Sequence, residues 1–311
     1  MISSGGLKRP APPIPSVAIP DSNNIALVVV TYHPGCLFVE SICSAAAQFA
    51  CAVLVDNSGC AQAELAKLDA SRFELILNQS NVGLGNALNA GCERAMALGY
   101  KWVVTLDQDT ELAPGFVESM LAGWSNANFA VAVLGCNYYN ESRSTYRVPP
   151  TDLPVVCKQT TVITSGSLVH LPTWHSIGMF RGDYFIDSID HEFCLRVRQN
   201  GFVVAINSQV GMRQHIGEKL TYQRHIARYA PYRHSIWRKY TSTRNTIRTV
   251  IDYSLQEPLW CLRKVLGLSL EFAAIILLEP DKRPRLLAFF LGLFHGCQGR
   301  LGPIPEKLKS L

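Results

Sequence analysis

The sequence has no apolar run long enough to cross a bilayer. Its two most apolar stretches are Val265 to Leu278 and Leu286 to Phe294, and both are shorter than the roughly 18 to 20 uninterrupted apolar residues that a spanning helix needs. Two amphipathic or buried helices are therefore expected there. The first residues also lack the charged start, apolar core and cleavage site of a signal peptide. The sequence thus predicts a cytoplasmic protein.

The cysteine patterns of zinc sites and redox motifs are absent too. The sequence has ten cysteines but no C-x-x-C pair, and several lie within apolar stretches, where cysteine packs as a small hydrophobic residue. Reduced thiols in a cytosol are expected, and a catalytic cysteine is disfavoured because none has a base nearby in a motif. The cysteines in apolar stretches are Cys43, Cys51, Cys92, Cys136 and Cys194.

Two common nucleotide-binding motifs are missing. The Gly-x-x-x-x-Gly-Lys-Ser/Thr loop does not occur, which disfavours a P-loop kinase or ATPase. The segment Asn81 to Asn86 reads Asn-Val-Gly-Leu-Gly-Asn, and its glycines would let backbone N–H groups approach a phosphate at a helix start. It lacks the third glycine of a dinucleotide fingerprint and follows the third predicted strand instead of the first, which disfavours a nicotinamide enzyme.

Strands and helices alternate through the first third of the chain. Such alternation predicts an α/β protein with a doubly wound, largely parallel sheet and right-handed crossovers. Residues 1–24, rich in Pro, Ser and Gly, are expected to form a disordered leader. The predicted strands are 25–30, 52–55, 73–77, the apolar run before Asp107, 131–136, 162–164 and 202–206. The predicted helices are 37–49, 61–68, 84–98, 190–199 and two in the C-terminal region.

Polar residues follow each of the first four strands. The carboxyl ends of such strands share one edge of the sheet, so these side chains are expected to converge on a ligand. Asp107 and Asp109 come after an apolar strand and point the same way. Paired carboxylates suit a hard divalent cation that bridges to phosphates. The polar residues are Thr31, Tyr32, Asp56, Asn57, Asn78, Asn81, Asp107 and Asp109.

A second acidic group lies at the predicted start of the 190–199 helix. Acids favour the first helical turn, so one of Asp187, Asp190 and Glu192 is expected to be structural. An acid at a helix start that faces a cleft can also serve as a general base. His215 follows a predicted strand; a lone histidine is more often structural, but an imidazole would complete a metal site with the carboxylate pair.

These motifs in this order resemble family 2 glycosyltransferases. Leu-Asp-Gln-Asp at 106–109 and Phe-Ile-Asp-x-x-Asp-x-Glu at 185–192 are similar to the bacterial rhamnosyltransferase subgroup in particular. The resemblance extends from about residue 25 to about 302. The motifs that carry it are Thr31-Tyr32-His33-Pro34, Asp56-Asn57-Ser58, Asn81-x-Gly83, Asp107-Gln108-Asp109, Thr164-Ser165-Gly166, Asp187-x-x-Asp190-x-Glu192 and His215-x-x-Gly217.

The resemblance implies a GT-A fold, a mixed doubly wound sheet followed by C-terminal helices. It implies a catalytic domain at 25–220, with a nucleotide-sugar half at 25–110 and an acceptor half at 111–220, and a helical region at 221–311. It also implies Mg²⁺ or Mn²⁺ on Asp107 and Asp109, with His215 as a further ligand. The implied nucleotide-sugar residues are Thr31, Tyr32, Asp56, Asn57, Asn81, Gly83, Asp107 and Gln108, the implied acceptor residues Ser165 and Gly166, and the catalytic acids Asp190, Glu192 and Asp187.

The position of the general base matches Asp190, with one departure. The preceding residue is often acidic in the wider family and is Ile189 here. The rhamnosyltransferase subgroup commonly has an apolar residue there, so the departure favours that subgroup. It leaves Asp187 and Glu192 as alternatives for the base.

The expected function is an inverting transfer of L-rhamnose from dTDP-L-rhamnose to a lipid-linked glycan or glycolipid. One alternative is a nucleotidyltransferase, which usually has a Gly-rich loop with a basic residue after its first strand; residues 31–36 have neither. A non-catalytic nucleotide-sugar-binding protein is a second alternative and would bind dTDP without turnover. Nucleic acid is not expected as a partner.

Basic residues are concentrated between Arg213 and Arg248. This basic block contains nine Lys or Arg, and Glu218 is its only acid, a composition that attracts phosphates or an anionic surface. A basic segment before two short apolar stretches suits an interfacial helix, so peripheral contact with the cytoplasmic face of an inner membrane is expected. The alternative is that the apolar helices pack on the catalytic domain.

Overall fold

A computed structural model describes residues 17–36, 38–69, 71–141, 144–214, 235–279 and 281–309. Most of the predicted leader, His215 and the 215–234 part of the basic block lie outside these residues.

The described residues form a ten-stranded mixed sheet. Its order is β3-β2-β1-β4-β9-β6-β10-β5, with β7 paired to β6 and β8 to β10. The strands are β1 (Ile25–Thr31), β2 (Ala52–Asp56), β3 (Phe73–Leu77), β4 (Trp102–Asp107), β5 (Thr110–Leu112), β6 (Val131–Asn140), β7 (Thr145–Tyr146), β8 (Val156–Lys158), β9 (Ser167–His170) and β10 (Val203–Gln214). The α-helices are α1 (Phe38–Ala46), α2 (Leu84–Ala97), α3 (Phe116–Asn126), α4 (Leu171–Ser176), α5 (Ile189–Gln199), α6 (Ile236–Tyr253), α7 (Pro258–Leu277), α8 (Lys282–Gln298) and α9 (Glu306–Lys309).

The strand order reverses direction at β1. The chain proceeds from β1 through β2 to β3 on one side, then crosses to β4 on the other side of β1, with all four strands parallel. In the register, Thr31 lies opposite Asp56, and Val30 lies opposite Asp107. The carboxyl ends of β1 and β4 therefore flank a topological switch point, where open α/β sheets bind ligands.

The central strands are buried on both faces, which explains their continuous apolar runs. On one face, Leu27 and Val29 pack in a core that includes residues of α1 and α3. On the other, Ala26 and Val28 pack with residues of α2 and α5. The packed sheet thus fixes the position of the polar side chain at the end of each strand.

Helices α6 and α8 pack closely because small residues of α8 face α6. A Cβ atom on Gly292 would lie 2.7 Å from the Tyr240 carbonyl oxygen, and one on Gly296 would lie 2.5 Å from the Arg244 carbonyl oxygen. Lys239 of α6 forms a buried ion pair with Glu271 of α7. The C-terminal helices therefore form one packed layer. None of the helices within the described residues is long and apolar enough to cross a membrane.

Three sequence predictions differ from the structure. Residues 162–164 are irregular instead of a strand, and the strand at this position is the later β9, antiparallel to β4 and β6. The predicted 61–68 helix is only a 3₁₀ turn at Leu65–Lys67. In the described part of the basic block, Lys239 and Arg244 are buried, so those two cations are not available to an anionic surface.

Candidate active site

The ends of β1 and β2 hold a buried carboxylate at the edge of the cleft. Asp56 is 2% exposed, and its Oδ1 accepts hydrogen bonds from Thr31 Oγ1 at 2.9 Å and Ser58 Oγ at 2.8 Å. Two hydroxyl donors orient this carboxylate before any ligand arrives. A carboxylate held in this way is suited to accept from a base N–H or a ribose hydroxyl.

Asn57 and Asn81 form the next part of the rim. Asn57 Nδ2 donates to Asn81 Oδ1 at 2.9 Å, and Asn57 Oδ1 accepts from the Val82 N–H at 3.0 Å. The Gly83 N–H also donates to Asn81 Oδ1 at 2.9 Å. The two amides therefore fix the loop between β3 and α2.

The glycine of this loop allows close packing against Phe185. Gly83 has φ +86°, and a Cβ there would lie 2.8 Å from the Phe185 carbonyl oxygen. The Leu84 N–H donates to that same oxygen at 2.6 Å. The sequence interpretation that these N–H groups hold a phosphate therefore needs correction, because the Gly83 and Leu84 N–H groups bind protein oxygens.

Gln108 joins the ends of β1 and β4. Its Oε1 accepts from the Tyr32 N–H at 2.8 Å, and its Nε2 donates to the Tyr32 carbonyl at 3.2 Å. The Tyr32 side chain is half exposed beside this junction. Gln108 thus fixes the switch point and leaves an aromatic ring facing the opening.

Negative charge is concentrated just beyond β4. Asp107 is half-buried and Asp109 is exposed. Burial, followed by the charges of Asp109 and Asp190, raises the pKa of Asp107 to about 7, against the influence of Arg238. A cation placed between these carboxylates would offset their repulsion and the cost of burial.

The predicted acceptor residues Ser165 and Gly166 lie behind this acidic pair. Ser165 Oγ accepts from the Asp107 N–H at 3.0 Å and lies 2.9 Å from Thr110 Oγ1. The Gly166 N–H donates to the Thr105 carbonyl at 2.8 Å. Gly166 has φ +70°, and a Cβ there would contact Cys136 Sγ at 2.6 Å. Both residues therefore position the end of β4.

The three acids of the second motif have different surroundings. Asp190, in the first turn of α5, has a side chain 21% exposed. Asp187 is engaged on both oxygens by α6: Oδ1 accepts from Arg238 Nε at 3.1 Å, and Oδ2 accepts from Thr241 Oγ1 at 2.7 Å. The charge of Asp190 contributes to the raised pKa of Asp107.

Glu192 lies away from the cleft. It is 2% exposed, and its carboxylate accepts from Arg196 at 3.0 and 2.9 Å and from the Tyr253 hydroxyl at 2.8 Å. Residues two apart on a helix point about 200° apart, which places Glu192 on the far side of α5 from Asp190. The expectation of a catalytic Glu192 is therefore corrected to a structural ion pair.

A cavity of about 500 Å³ lies between the carboxyl ends of the strands and the C-terminal helices. Sequence reasoning missed its second wall. Phe185 and Ile186 belong to the acidic motif at 185–192, but Trp237, Pro303 and Ile304 carry no local sequence signal. The lining residues are Val30, Tyr32, Asn57, Asn81, Leu84, Asp107, Gln108, Phe185, Ile186, Trp237, Pro303 and Ile304.

The carboxylates at this cavity fit a divalent cation only in part. Within the described ranges, no group of three or more His, Cys, Asp or Glu side chains is arranged to hold a metal. Asp107 and Asp109 supply two hard oxygen donors, as Mg²⁺ prefers when phosphate oxygens and waters complete its octahedron. The third predicted ligand, His215, lies outside the described residues.

Comparisons with known proteins agree with this geometry. The sequence profile described as Glycosyl transferase family 2 matches residues 26–188. A dTDP-rhamnosyl transferase, RfbF of Shigella flexneri, is 24% identical over 295 residues, which is 90% of this chain and 98% of that protein.

Solved structures show the same fold. S. aureus TarS 1-349 in complex with UDP-GlcNAc superposes with a TM-score of 0.59 at 14% identity, over 93% of this chain and 83% of that chain. GalNAc-T7 with UDP, GalNAc and Mn²⁺ gives a TM-score of 0.54 at 13% identity, and the match covers 89% of this chain and 56% of that chain. The predicted GT-A fold is thus confirmed. Because the family profile covers more than half of the sequence, the chain belongs to glycosyl transferase family 2 and is a glycosyltransferase.

Proposed function

We propose that this glycosyltransferase transfers L-rhamnose from dTDP-L-rhamnose with inversion at the anomeric carbon. The observation that carries the proposal is the 500 Å³ cavity at the β1/β4 switch point, which brings Asp107 and polar ends of β1 and β2 together. The similarity to a dTDP-rhamnosyl transferase over nearly the whole chain supports the choice of donor.

The donor would lie across this cavity from the β2 side to the loop before α5. Asp56, Asn57 and Asn81 offer the carbonyl and carboxylate oxygens that recognise a nucleoside, and Tyr32 offers a ring against which a base can stack. Beyond them, apolar side chains such as Trp237 and Ile304 line the opposite wall. An apolar wall suits a 6-deoxy sugar, whose C5 carries a methyl group in place of a hydroxymethyl group.

Asp109 is the residue proposed to bind the cation most directly, with Asp107 nearer the ribose or acting through water. A bound Mg²⁺ or Mn²⁺ would stabilise the negative charge that develops on the departing diphosphate. His215 is proposed as a further ligand. Ser165 contributes by holding the Asp107 main chain at 3.0 Å, so that the carboxylate is preorganised at the strand end.

Asp190 is proposed as the general base. The acceptor oxygen forms a bond to the anomeric carbon as the bond from that carbon to the diphosphate oxygen breaks. The acceptor proton passes to an Asp190 carboxylate oxygen, and the electron pair leaves with dTDP. A single base on one face suffices for such a single displacement, which inverts the anomeric configuration. Asp187 positions the loop before α5, because both of its oxygens are bound by α6.

A lipid-linked glycan or glycolipid is the proposed acceptor, and the exposed surface of the C-terminal helices supports it. Five leucines of α7 are more than half exposed at spacings of three, four or seven residues, which places them on one face. Leu287, Phe290 and Phe294 of α8 are at least half exposed as well. An apolar surface of this kind suits the headgroup boundary of a membrane that carries the acceptor. The leucines are Leu259, Leu262, Leu266, Leu270 and Leu277.

Nucleotide release from a donor panel tests the proposal. The purified protein is incubated with Mg²⁺ and, in parallel, dTDP-L-rhamnose, dTDP-glucose, UDP-glucose and UDP-N-acetylglucosamine, each with and without added pyrophosphate, and dTDP, UDP, dTTP and UTP are quantified. dTDP should be released fastest from dTDP-L-rhamnose, and no dTTP should form. Faster release of UDP from a UDP-sugar would overturn the donor assignment, and formation of dTTP and a sugar 1-phosphate with consumption of pyrophosphate would indicate nucleotidyl transfer.

A further inference from the structure

A cluster of cationic and aromatic side chains lies beside Asp190, and its residues Lys264, His191 and Trp260 do not line the donor cavity. Lys264 of α7 places Nζ 3.2 Å from His191 Nδ1 and 3.4 Å from His191 Nε2. The same ammonium lies 5.1 Å from the centre of the Trp260 ring. His191 Nδ1 in turn lies 3.9 Å from Asp190 Oδ1. The cluster is therefore adjacent to the proposed base.

Within the described residues, the carboxylate whose charge acts on Lys264 is Asp190, and it forms no direct ion pair with the ammonium. Neither Lys264 nor the exposed Arg147 forms an ion pair with a described carboxylate. Lys264 is instead within hydrogen-bond distance of the His191 imidazole. Burial lowers the pKa of Lys264, and the positive charge of Arg147 acts in the same direction, against Asp190. Burial also lowers the pKa of His191, which favours a neutral ring.

Lys264 is half-buried, so its ammonium loses hydration, and it has no directly bonded carboxylate within the described residues. An anion that binds beside the ammonium would offset this cost. Trp260 packs edge-on to the His191 ring, with 5.7 Å between the ring centres, so the ammonium is held in place by contacts on two sides. The cluster is thus built before any ligand arrives.

We propose that Lys264, with His191 between it and Asp190, forms a subsite for an anionic group of the acceptor. A phosphate or carboxylate bound there would place a neighbouring hydroxyl of the same acceptor within reach of Asp190. The inference rests on the proposed function, since it assigns the acceptor side of that site. It predicts that the acceptor is an anionic glycan, such as a sugar joined to phosphate.

Binding measurements on the full chain test the subsite without requiring turnover. With the donor site saturated by dTDP and Mg²⁺, saturation-transfer NMR compares a hexose 1-phosphate, the corresponding hexuronate and the neutral methyl hexoside. The wild type should bind at least one of the charged probes about tenfold more tightly than the neutral one, because a charge-assisted bond contributes about 1.4 kcal/mol or more. Which charged probe binds identifies phosphate or carboxylate as the preferred group.

Variants of Lys264 and of its neighbour Arg263 test whether Lys264 causes the preference for charged probes. Lys264→Gln should remove the preference for the charged probe, whereas Lys264→Arg should retain most of it. Arg263→Gln is the matched control, because Arg263 is an exposed cation adjacent on α7. The inference fails if the wild type does not distinguish charged from neutral probes, or if Lys264→Gln distinguishes them equally well. Absence of dTDP release from dTDP-L-rhamnose would instead count against the proposed function.

Discussion

Asp190 and Glu192 are two residues apart on α5 but lie in opposite surroundings. Asp190 is partly exposed and its charge acts on Asp107. Glu192 is buried between Arg196 and the Tyr253 hydroxyl. A base must exchange a proton with a ligand, which requires access, whereas a buried ion pair is destabilised when one partner is removed. Neutralising Asp190 should therefore lower turnover, whereas neutralising Glu192 should lower the stability of the fold.

Asp190→Asn should lower kcat by at least about a hundredfold, because the transition state loses its proton acceptor. The affinity for dTDP should stay near the wild-type value, since the residues proposed to bind the nucleoside lie at the ends of β1 and β2 and in the loop after β3. Steady-state kinetics with dTDP-L-rhamnose and titration calorimetry with dTDP provide the two measurements. A folded Asp190→Asn protein with nearly wild-type kcat would remove Asp190 from the mechanism.

Glu192→Gln is the matched comparison on the same helix. It leaves the Arg196 guanidinium buried without its carboxylate, so the free energy of unfolding should fall by about 3–5 kcal/mol. The fraction that remains folded should retain turnover. If Glu192→Gln is folded and inactive while Asp190→Asn is active, the base is Glu192.

At the scale of elements, α6 positions the acidic loop through polar groups. Asn245 is fully buried, and its Nδ2 donates to the carbonyls of Tyr184, Ile186 and Asp187 at 2.9, 2.7 and 3.0 Å. Arg244, also buried, donates to the carbonyls of Tyr184 and Gly302 at 3.0 and 2.9 Å. One helix thus holds the loop before α5 and the C-terminal wall of the cavity together.

Asn245→Ala should loosen the acidic loop, because three carbonyls lose a buried donor at a cost of about 1–3 kcal/mol. Since Phe185 and Ile186 of this loop line the cavity, KM for the donor should rise as the melting temperature falls. Ile251→Ala, on the exposed side of the same helix, is the control and should change neither quantity. Unchanged KM and melting temperature in Asn245→Ala would contradict this role of α6.

The sequence predicted most of the sheet but not α6. Strands β1, β2 and β4 are buried on both faces, so their apolar runs were unambiguous. The basic block that includes α6 was expected to contact an anionic surface, whereas Arg244 and its neighbour Asn245 are buried because their partners are main-chain carbonyls. Strand β9 has only four residues, Ser-Leu-Val-His, and is defined by its neighbours β4 and β6. The opposite directions of Asp190 and Glu192 follow from their spacing on the predicted helix, but the burial of Glu192 depends on a partner distant in sequence, Tyr253.

At the scale of the whole molecule, α7 links the site to the exposed apolar surface. Lys264 and Trp260 lie beside Asp190, while Leu262, Leu266 and Leu270 of the same helix face outward. The exposed charged residues of α7 and α8 are Arg263, Lys282 and Arg283, and all three are cationic. A surface with this composition fits an anionic membrane, which would place a membrane-borne acceptor near the base.

The double variant Leu262→Ser and Leu266→Ser should lower binding to anionic vesicles, because it removes apolar area from the contact. Sedimentation with vesicles at low and high salt measures this. The wild type should bind best at low salt, since salt screens the cationic contribution. Leu75→Ser, at an exposed position of β3, should bind as the wild type does. Equal sedimentation of the double variant and wild type, or no sedimentation at any salt concentration, would show that this surface does not bind membrane.

The most direct test of cation-assisted sugar transfer from dTDP-L-rhamnose is the rate of dTDP release by the wild type and Asp109→Asn, each with Mg²⁺ and with excess chelator. We expect the wild type to release dTDP with Mg²⁺ only. Asp109→Asn should release almost none although it folds normally, because the exposed Asp109 supports no buried contact. Full turnover by the wild type in chelator, or by Asp109→Asn with Mg²⁺, would contradict the cation-assisted mechanism.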